Sequence, residues 1–272
     1  MSIRSAFLLS VLVVITGCKA AAPPTCDDHF ASAAKPAITS QSLQKRTDLI
    51  CYAGYAVMHS GISRTPVWVA EYLTADRVRR AEAMTRKNTF HADPNLAPED
   101  RAELRDYVRS GFDRGHMAPS GDMPDEQSQY ESFSLANMIP QHPKNNQILW
   151  EGIENATRDL ALRTGRLYVV TGPVFEGSSL QRLNGRVLVP TSVFKAIYDP
   201  SSGQAAAYLT PNAEGLEYRT VSIAELERIA RVDPFPALPP EVKAAKMKLP
   251  PPEPSRSKRG KNVPVEINGD PR

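Results

Sequence analysis

The sequence predicts one α+β domain over residues 49–235, on three observations. Runs rich in β-branched and aromatic residues come in pairs separated by turn residues, the mark of adjacent strands. One long stretch, residues 146–163, carries its apolar residues at helical spacing instead. Both ends of the 272-residue chain lose this patterning, and what lies between them is long enough to bury a core of its own.

The elements follow in order. Residues 50–57 and 66–73 are β-rich runs on either side of His59-Ser60-Gly61, and read as paired strands. Residues 74–96 are charged and read as loop, with Ala92-Asp93-Pro94 near their end. Residues 97–109 are rich in Glu, Arg, Ala and Leu, and Pro98 suits a first helical position, so a short helix is expected. In 146–163 the apolar face is Ile148, Leu149, Ile153, Ala156, Leu160 and Leu162, with Gly165 as the stop. Strands are expected at 167–171 and 187–190, then a pair at 193–198 and 205–210 joined by the turn Asp199-Pro200-Ser201-Ser202-Gly203. Residues 222–230 read as a short helix, Ser222 and Glu225 forming a capping-box pattern. Residues 236–272 are Pro-rich, then basic. Their apolar content is too low to fold, so a disordered tail is expected.

At the other end, residues 1–17 join a cationic start, Arg4, to an apolar run from Ala6 to Ile15. That run is about half the ~20 residues a membrane span requires, so it fits a secretory signal peptide. Ile15-Thr16-Gly17-Cys18 resembles a bacterial lipobox, where cleavage before Cys18 leaves it to be lipidated. Cleavage within Ala20-Ala21-Ala22 would discard it instead. The expected destination is the bacterial envelope, as a periplasmic protein or a lipid-anchored membrane lipoprotein. Residues 18–48 read as a tether and N-terminal arm. With Cys18 lipidated or removed, Cys26 and Cys51 remain in an oxidising compartment and are expected to pair. Closing that loop is worth roughly 3 kcal/mol in the chain-entropy picture. No CxxC or Cys/His cluster suggests zinc.

The net charge of +3 is misleading as a whole. Residues 241–272 hold eight cations against four anions, and Arg4 leaves with the signal, so residues 18–240 sum to −2. The charge balance is therefore no sign of a polyanion-binding core, and any phosphate-binding surface must be local.

The residues with chemistry start at Asp113-Arg114-Gly115-His116. A neutral imidazole can take a proton from water at neutral pH, although the tetrapeptide alone is equally a satisfied histidine in a turn. Asn146 and Glu154 lie eight residues apart, about 800° of helical rotation or roughly 80° past two full turns. With Trp150 they form a series expected to climb one side of the helix. Asn146 offers a carbonyl oxygen to a hard cation, and a sparse donor set suits Mg²⁺, which keeps several of its waters. Trp150 reads as packing. His29, His59, His91 and His142 read as surface or loop histidines.

Three motifs together resemble the DNA/RNA non-specific endonuclease family, the ββα-metal (His-Me finger) nucleases of the endonuclease G type. They are Asp113-Arg114-Gly115-His116-Met117-Ala118-Pro119, Asn137-Met138-Ile139-Pro140-Gln141, and Asn146-Gln147 with Trp150 and Glu154. Looser agreement covers Trp68-Val69-Ala70-Glu71, Thr171-Gly172-Pro173, and Val189-Pro190-Thr191 with Lys195, so the resemblance spans roughly 50–235. It implies a central antiparallel sheet flanked by helices, with the site on a ββα element. It also implies a Mg²⁺-dependent endonuclease, Mn²⁺ able to substitute, that cuts DNA and RNA to 5′-phosphate products. In that scheme His116 is the general base, Asn146 the direct metal ligand, and Glu154 orients the waters of the metal's shell. Arg114 and Asn137 help position the site and the phosphate, Arg86 stabilises the developing negative charge, and Asp113 orients the turn. Ile148 departs from the family, many of whose members have Gly there; on a helix its effect should be confined to packing. A second reading is a catalytically silent protein of the same fold that binds nucleic acid at the envelope. A third, a metal-dependent phosphomonoesterase, is weaker.

Overall fold

The computed structural model describes residues 25–254 and 263–267. The signal segment 1–17 and the lipidation candidate Cys18 lie outside the described residues.

The N-terminal arm contributes strand β1 (Ala37–Ile38), followed by β2 (Thr47–Cys51), β3 (Ala56–Ser60), β4 (Thr65–Thr74) and helix α1 (Ala75–Glu82). Then come β5 (Asp113–His116), α2 (Glu126–Ser132), β6 (Met138–Gln141) and α3 (Glu151–Thr164), the last entered through a π-helical segment, Asn145–Trp150. Next are β7 (Arg166–Val174), β8 (Arg182–Leu183), β9 (Val187–Leu188), β10 (Ser192–Asp199), β11 (Gln204–Pro211) and β12 (Glu217–Val221). The described residues end with α4 (Ile223–Ala230), β13 (Val232–Asp233), α5 (Pro240–Ala244) and β14 (Val265–Glu266).

Eight strands form the central sheet in the order β14-β12-β11-β10-β7-β4-β3-β2. Its pairings are antiparallel except β12 with β14, which is parallel. Both faces are covered, which is why the strands read as nearly continuous apolar runs. On one face Val69, Leu73, Val169, Val193 and Ile197 pack with Leu149, Trp150 and Ile153 of the segment leading into and through α3. On the other, Trp68, Ala70, Phe194 and Ala196 pack with Phe30 of the arm, with Ile223 and Leu226 of α4, and with Phe235. The α+β class and the central sheet are as expected.

Several local expectations are corrected. The run 50–57 is a hairpin and not one strand: the chain reverses at Tyr52–Tyr55, where Tyr52 N–H donates to the Tyr55 carbonyl at 2.9 Å. Gly54 permits that reversal, because a Cβ there would lie 2.5 Å from Met123 Sδ. The first part of the charged stretch 74–96 is helical as α1, capped by Thr74, whose hydroxyl accepts from Arg77 N–H at 3.1 Å. Thr74 with Asp76 in the first turn was the available signal. Conversely, 97–109 holds only a short 3₁₀ turn, Leu104–Tyr107. There Asp106 is buried and pairs with Arg186 at 3.1 Å, a tertiary contact that overrides helix propensity.

At the N-terminal end the expected disulfide is present, Cys26 and Cys51 being bonded with Cα atoms 5.2 Å apart, and β1 of the arm also pairs with β13. The other end differs from expectation. The tail expected to be disordered from residue 236 is folded through 254. Met247 and Leu249 are buried against the sheet, and Met247 N–H donates to the Ala205 carbonyl at 3.0 Å. Glu253 N–H donates to the Gly152 carbonyl at 3.1 Å, so the strap crosses α3. Two apolar side chains seal that edge of the core, and prolines suit an extended strap that has few ladder bonds to make. His29 and His59, read as surface or loop residues, are buried; their ring nitrogens meet the carbonyls of Tyr52 at 3.2 Å and Asp100 at 3.0 Å.

Candidate active site

The site is built on β5, β6 and the helical segment that follows. β5 and β6 form a two-stranded antiparallel ribbon in which Asp113 faces Gln141 and His116 faces Met138. Gly115 is required there, since a Cβ would run into the Gln141 side chain. Gln141 Nε2 donates to Asn145 Oδ1 at 2.7 Å, and Asn145 Nδ2 donates to Thr210 Oγ1 at 2.9 Å. That chain ties the ribbon to the start of the helix and both to β11.

The π segment alters the expected face. An i→i+5 turn carries an extra residue, so side chains past it rotate relative to an unbroken α-helix. Trp150 is fully buried in the core beneath the cleft, while Asn146 and Glu154 line the cleft itself. The row that lines the cleft is Gln147, Glu151, Glu154 and Arg158, of which Gln147 alone is exposed and the other three are half-buried. Trp150 therefore does not stand between Asn146 and Glu154 on one side, although its packing role is as expected.

The cleft, about 350 Å³, brings together His116, Arg114, Arg86, Asn146 and Glu154, all named from the sequence. His116 is only 8% exposed and its Nε2 is buried without a hydrogen-bond partner. Burial, reinforced by Arg86 and Arg114, pushes the His116 imidazole down to about 3. It is neutral at physiological pH. Two rings hold it: Phe133, edge-on with centroids 5.0 Å apart, and Phe90 at 5.6 Å. The same pair seats both guanidiniums, Arg114 4.1 Å over Phe90 and Arg86 5.2 Å over Phe133. Phe90 and Phe133 were not foreseen; no local pattern marks a ring as the seat of a distant arginine.

Glu154 sits at the floor. Burial pushes its carboxyl up to about 7, against the pull of Arg158 and Lys195. Arg158, one turn further along α3, also lines the cleft and was missed. Its guanidinium donates to Asp122 Oδ1 at 2.8 Å and to Asn155 Oδ1 at 2.6 Å. An i, i+4 relation to Glu154 was the legible signal. Lys195 is buried beneath, donating to Thr171 Oγ1 at 2.8 Å.

Two residues hold others in place. Asn137 does not line the cleft. It is fully buried, and its amide donates to the carbonyls of Ala118 and Ser132, both at 2.8 Å, while accepting from Ala118 N–H at 2.9 Å. It locks the turn after His116, which is the positioning part of its expected role. Asp113 Oδ2 accepts from Asn146 Nδ2 at 2.9 Å and from Gln147 Nε2 at 2.8 Å. Holding the amide nitrogen leaves Asn146 Oδ1 as the atom available to a cation. Among the described residues no group of three or more His, Cys, Asp or Glu side chains could cage a metal. One amide oxygen with a nearby carboxylate fits a hard cation that retains its waters, and not zinc or a thiophilic metal.

Comparison with known proteins agrees with this geometry. The family model for DNA/RNA non-specific endonucleases matches residues 34–241. The mitochondrial nuclease EXOG of Danio rerio is 35% identical over 208 residues, 69% of this chain and 60% of the relative. The chain thus spans about 60% of that relative's length. The mitochondrial endonuclease G of Bos taurus is 30% identical over 240 residues, 81% of this chain and 80% of the relative. The crystal structure of an EndoG/EndoGI complex superimposes with a TM-score of 0.62 at 29% identity, covering 69% of this chain and 86% of that one.

Proposed function

The chain belongs to the DNA/RNA non-specific endonuclease family, and from that premise we propose that it is a Mg²⁺-dependent endonuclease that hydrolyses phosphodiester bonds of DNA and RNA. The observation that carries the proposal is a neutral, buried His116 in the same cleft as Asn146, Glu154, Arg86 and Arg114.

A histidine held down to about 3 is an unprotonated base throughout the neutral range. So low a value makes it a weak acceptor before substrate binds. An anionic phosphate beside Arg86 and Arg114 offsets the two cations that help depress it and raises its basicity toward an attacking water. Arg86 and Arg114, seated on the two phenylalanine rings, face the same space and offer planar donors to the phosphate oxygens. Asn146 would hold the metal through Oδ1, with Asp113 fixing its orientation. Bound Mg²⁺, or Mn²⁺ in its place, supplies positive charge against the charge that builds on the phosphate and the leaving oxygen. Glu154 and Arg158 occupy the floor, where they orient water and balance each other's charge. Every one of these groups addresses the phosphate and none a base edge, which favours weak sequence preference and the use of both DNA and RNA. Products with 5′-phosphates are part of this reading.

The test is incubation of purified residues 24–272 with circular plasmid and with RNA, with Mg²⁺ or with EDTA. Both substrates should be degraded only with metal, and His116→Ala should lose the activity. Intact plasmid in Mg²⁺ would sink the enzyme; intact plasmid that is nonetheless bound would return the silent nucleic-acid-binding protein. Export as an envelope lipoprotein is part of the proposal, supported by residues 1–18 and by a disulfide, which persists in oxidising compartments. Cys18→Ala should abolish membrane partitioning, and unchanged partitioning counts against the anchor.

A further inference from the structure

The catalytic cleft opens into a second chamber of about 380 Å³ whose lining differs in kind. Arg86, Arg114, Asn146 and Gln147 line both, so a phosphate held by these residues lies at the junction. Beyond it the lining is Leu104, Tyr107, Val108 and Phe112, together with the polar Asn88 and Asp113. Leu104 and Val108 are 42% and 64% exposed, large aliphatic side chains left in water at the mouth of a charged groove. Tyr107 lies beneath them, and its buried hydroxyl has no hydrogen-bond partner among the described residues. No part of the proposed chemistry uses Leu104, Tyr107, Val108 or Phe112.

We propose that the chamber is a subsite for the nucleoside next to the scissile phosphate, its base packing on Phe112 between Leu104 and Val108. The inference rests on the nuclease reading and deepens it. The occupant follows from continuity and charge. A phosphodiester held by Arg86 and Arg114 carries a nucleoside on each side, so one of its two bases is placed toward this chamber. Among the described residues this side offers phenylalanine and tyrosine rings, while the other holds His116, Glu154 and Arg158 beside the aliphatic Met84 and Pro119 and no such ring. Stacking is tolerant of sequence because every base has a flat face, so the subsite selects for the presence of a base and not its identity. The exposed aliphatics then have a role that does not conflict with weak sequence preference.

Oligonucleotides with a single abasic position, compared with the intact strand, test this by product mapping. In the wild-type protein the missing base should suppress cleavage at one neighbouring phosphate by about tenfold, the scale of one base stack, and leave more distant phosphates alone. In Leu104→Ser/Val108→Ser the ratio of intact to abasic cleavage at that phosphate should fall toward one. Both side chains are exposed, so the fold tolerates the change, and an unchanged circular dichroism spectrum checks it. Equal cleavage of intact and abasic strands by the wild-type protein overturns the subsite alone. So does a ratio that the double variant leaves untouched. A protein that cuts neither strand overturns the nuclease reading and the subsite with it.

Discussion

Asp113 offers the sharpest test of how the metal position is held. Its Oδ2 accepts from both Asn146 Nδ2 and Gln147 Nε2, at 2.9 and 2.8 Å, and it lines the chamber beside them. Asp113→Ala removes both bonds, each worth roughly 1 kcal/mol at a half-buried position, and leaves the Asn146 carboxamide free to rotate or to exchange its oxygen and nitrogen. Loss of an orienting partner of this kind costs about 10–100-fold in metal affinity, equivalent to about 1.4–2.7 kcal/mol. The assay is the initial rate of plasmid nicking as a function of Mg²⁺ concentration. Half-activation should move up 10–100-fold in Asp113→Ala, with the rate recovering at high Mg²⁺. Asp113→Asn, which keeps an acceptor oxygen, should move it less. Unchanged half-activation in Asp113→Ala refutes the positioning role. If instead both variants fail equally and no Mg²⁺ concentration restores the rate, Asp113 is itself a ligand.

Two further outcomes concern stability. Ending the chain at Lys246 removes Met247 and Leu249, buried side chains worth roughly 1.5–3 kcal/mol each. It also takes away the Pro250 carbonyl that accepts from Tyr208 Oη at 2.5 Å. The thermal midpoint should fall by roughly 10 °C, and a midpoint within a degree of the full chain would mean the strap contributes nothing. His59 is held neutral, pushed down to about 4 by burial, with Asp93 pulling weakly the other way. Its folded value lies below the unfolded one, so the unfolded chain binds the extra proton and stability falls as pH drops from about 6.5 toward 4. The loss is about 3 kcal/mol at the lower end. Urea titrations of His59→Gln should show a correspondingly shallower acid limb, and superimposable limbs would show that another group governs it.

The comparison of sequence with structure separates along physical lines. His116, Asn146 and Glu154, which the structure brings into one cleft, were legible because an imidazole, an amide oxygen and a carboxylate are recognisable by residue type alone. Their spacing also falls within one ribbon and one helix. The hairpin of β10 and β11 was legible for the same reason, since its turn residues lie between its strands. Asn137 was legible as a residue that positions the site, but the partners through which it does so were not. An asparagine looks the same in sequence whether it meets a phosphate or, as here, two backbone carbonyls.

By itself, then, the sequence determined the α+β class, the disulfide and which titratable and amide side chains come together in the cleft. Tertiary structure alone decided what surrounds them. The π segment turns Trp150 inward and sets Gln147, Glu151, Glu154 and Arg158 on the cleft. Phe90 and Phe133, from separate segments, meet to seat His116, Arg86 and Arg114. A tail with the composition of a disordered segment is folded across α3 because two of its side chains complete a core formed elsewhere. Each of these depends on burial against residues distant in the chain, and burial is a property of the packed molecule that no local window of sequence contains.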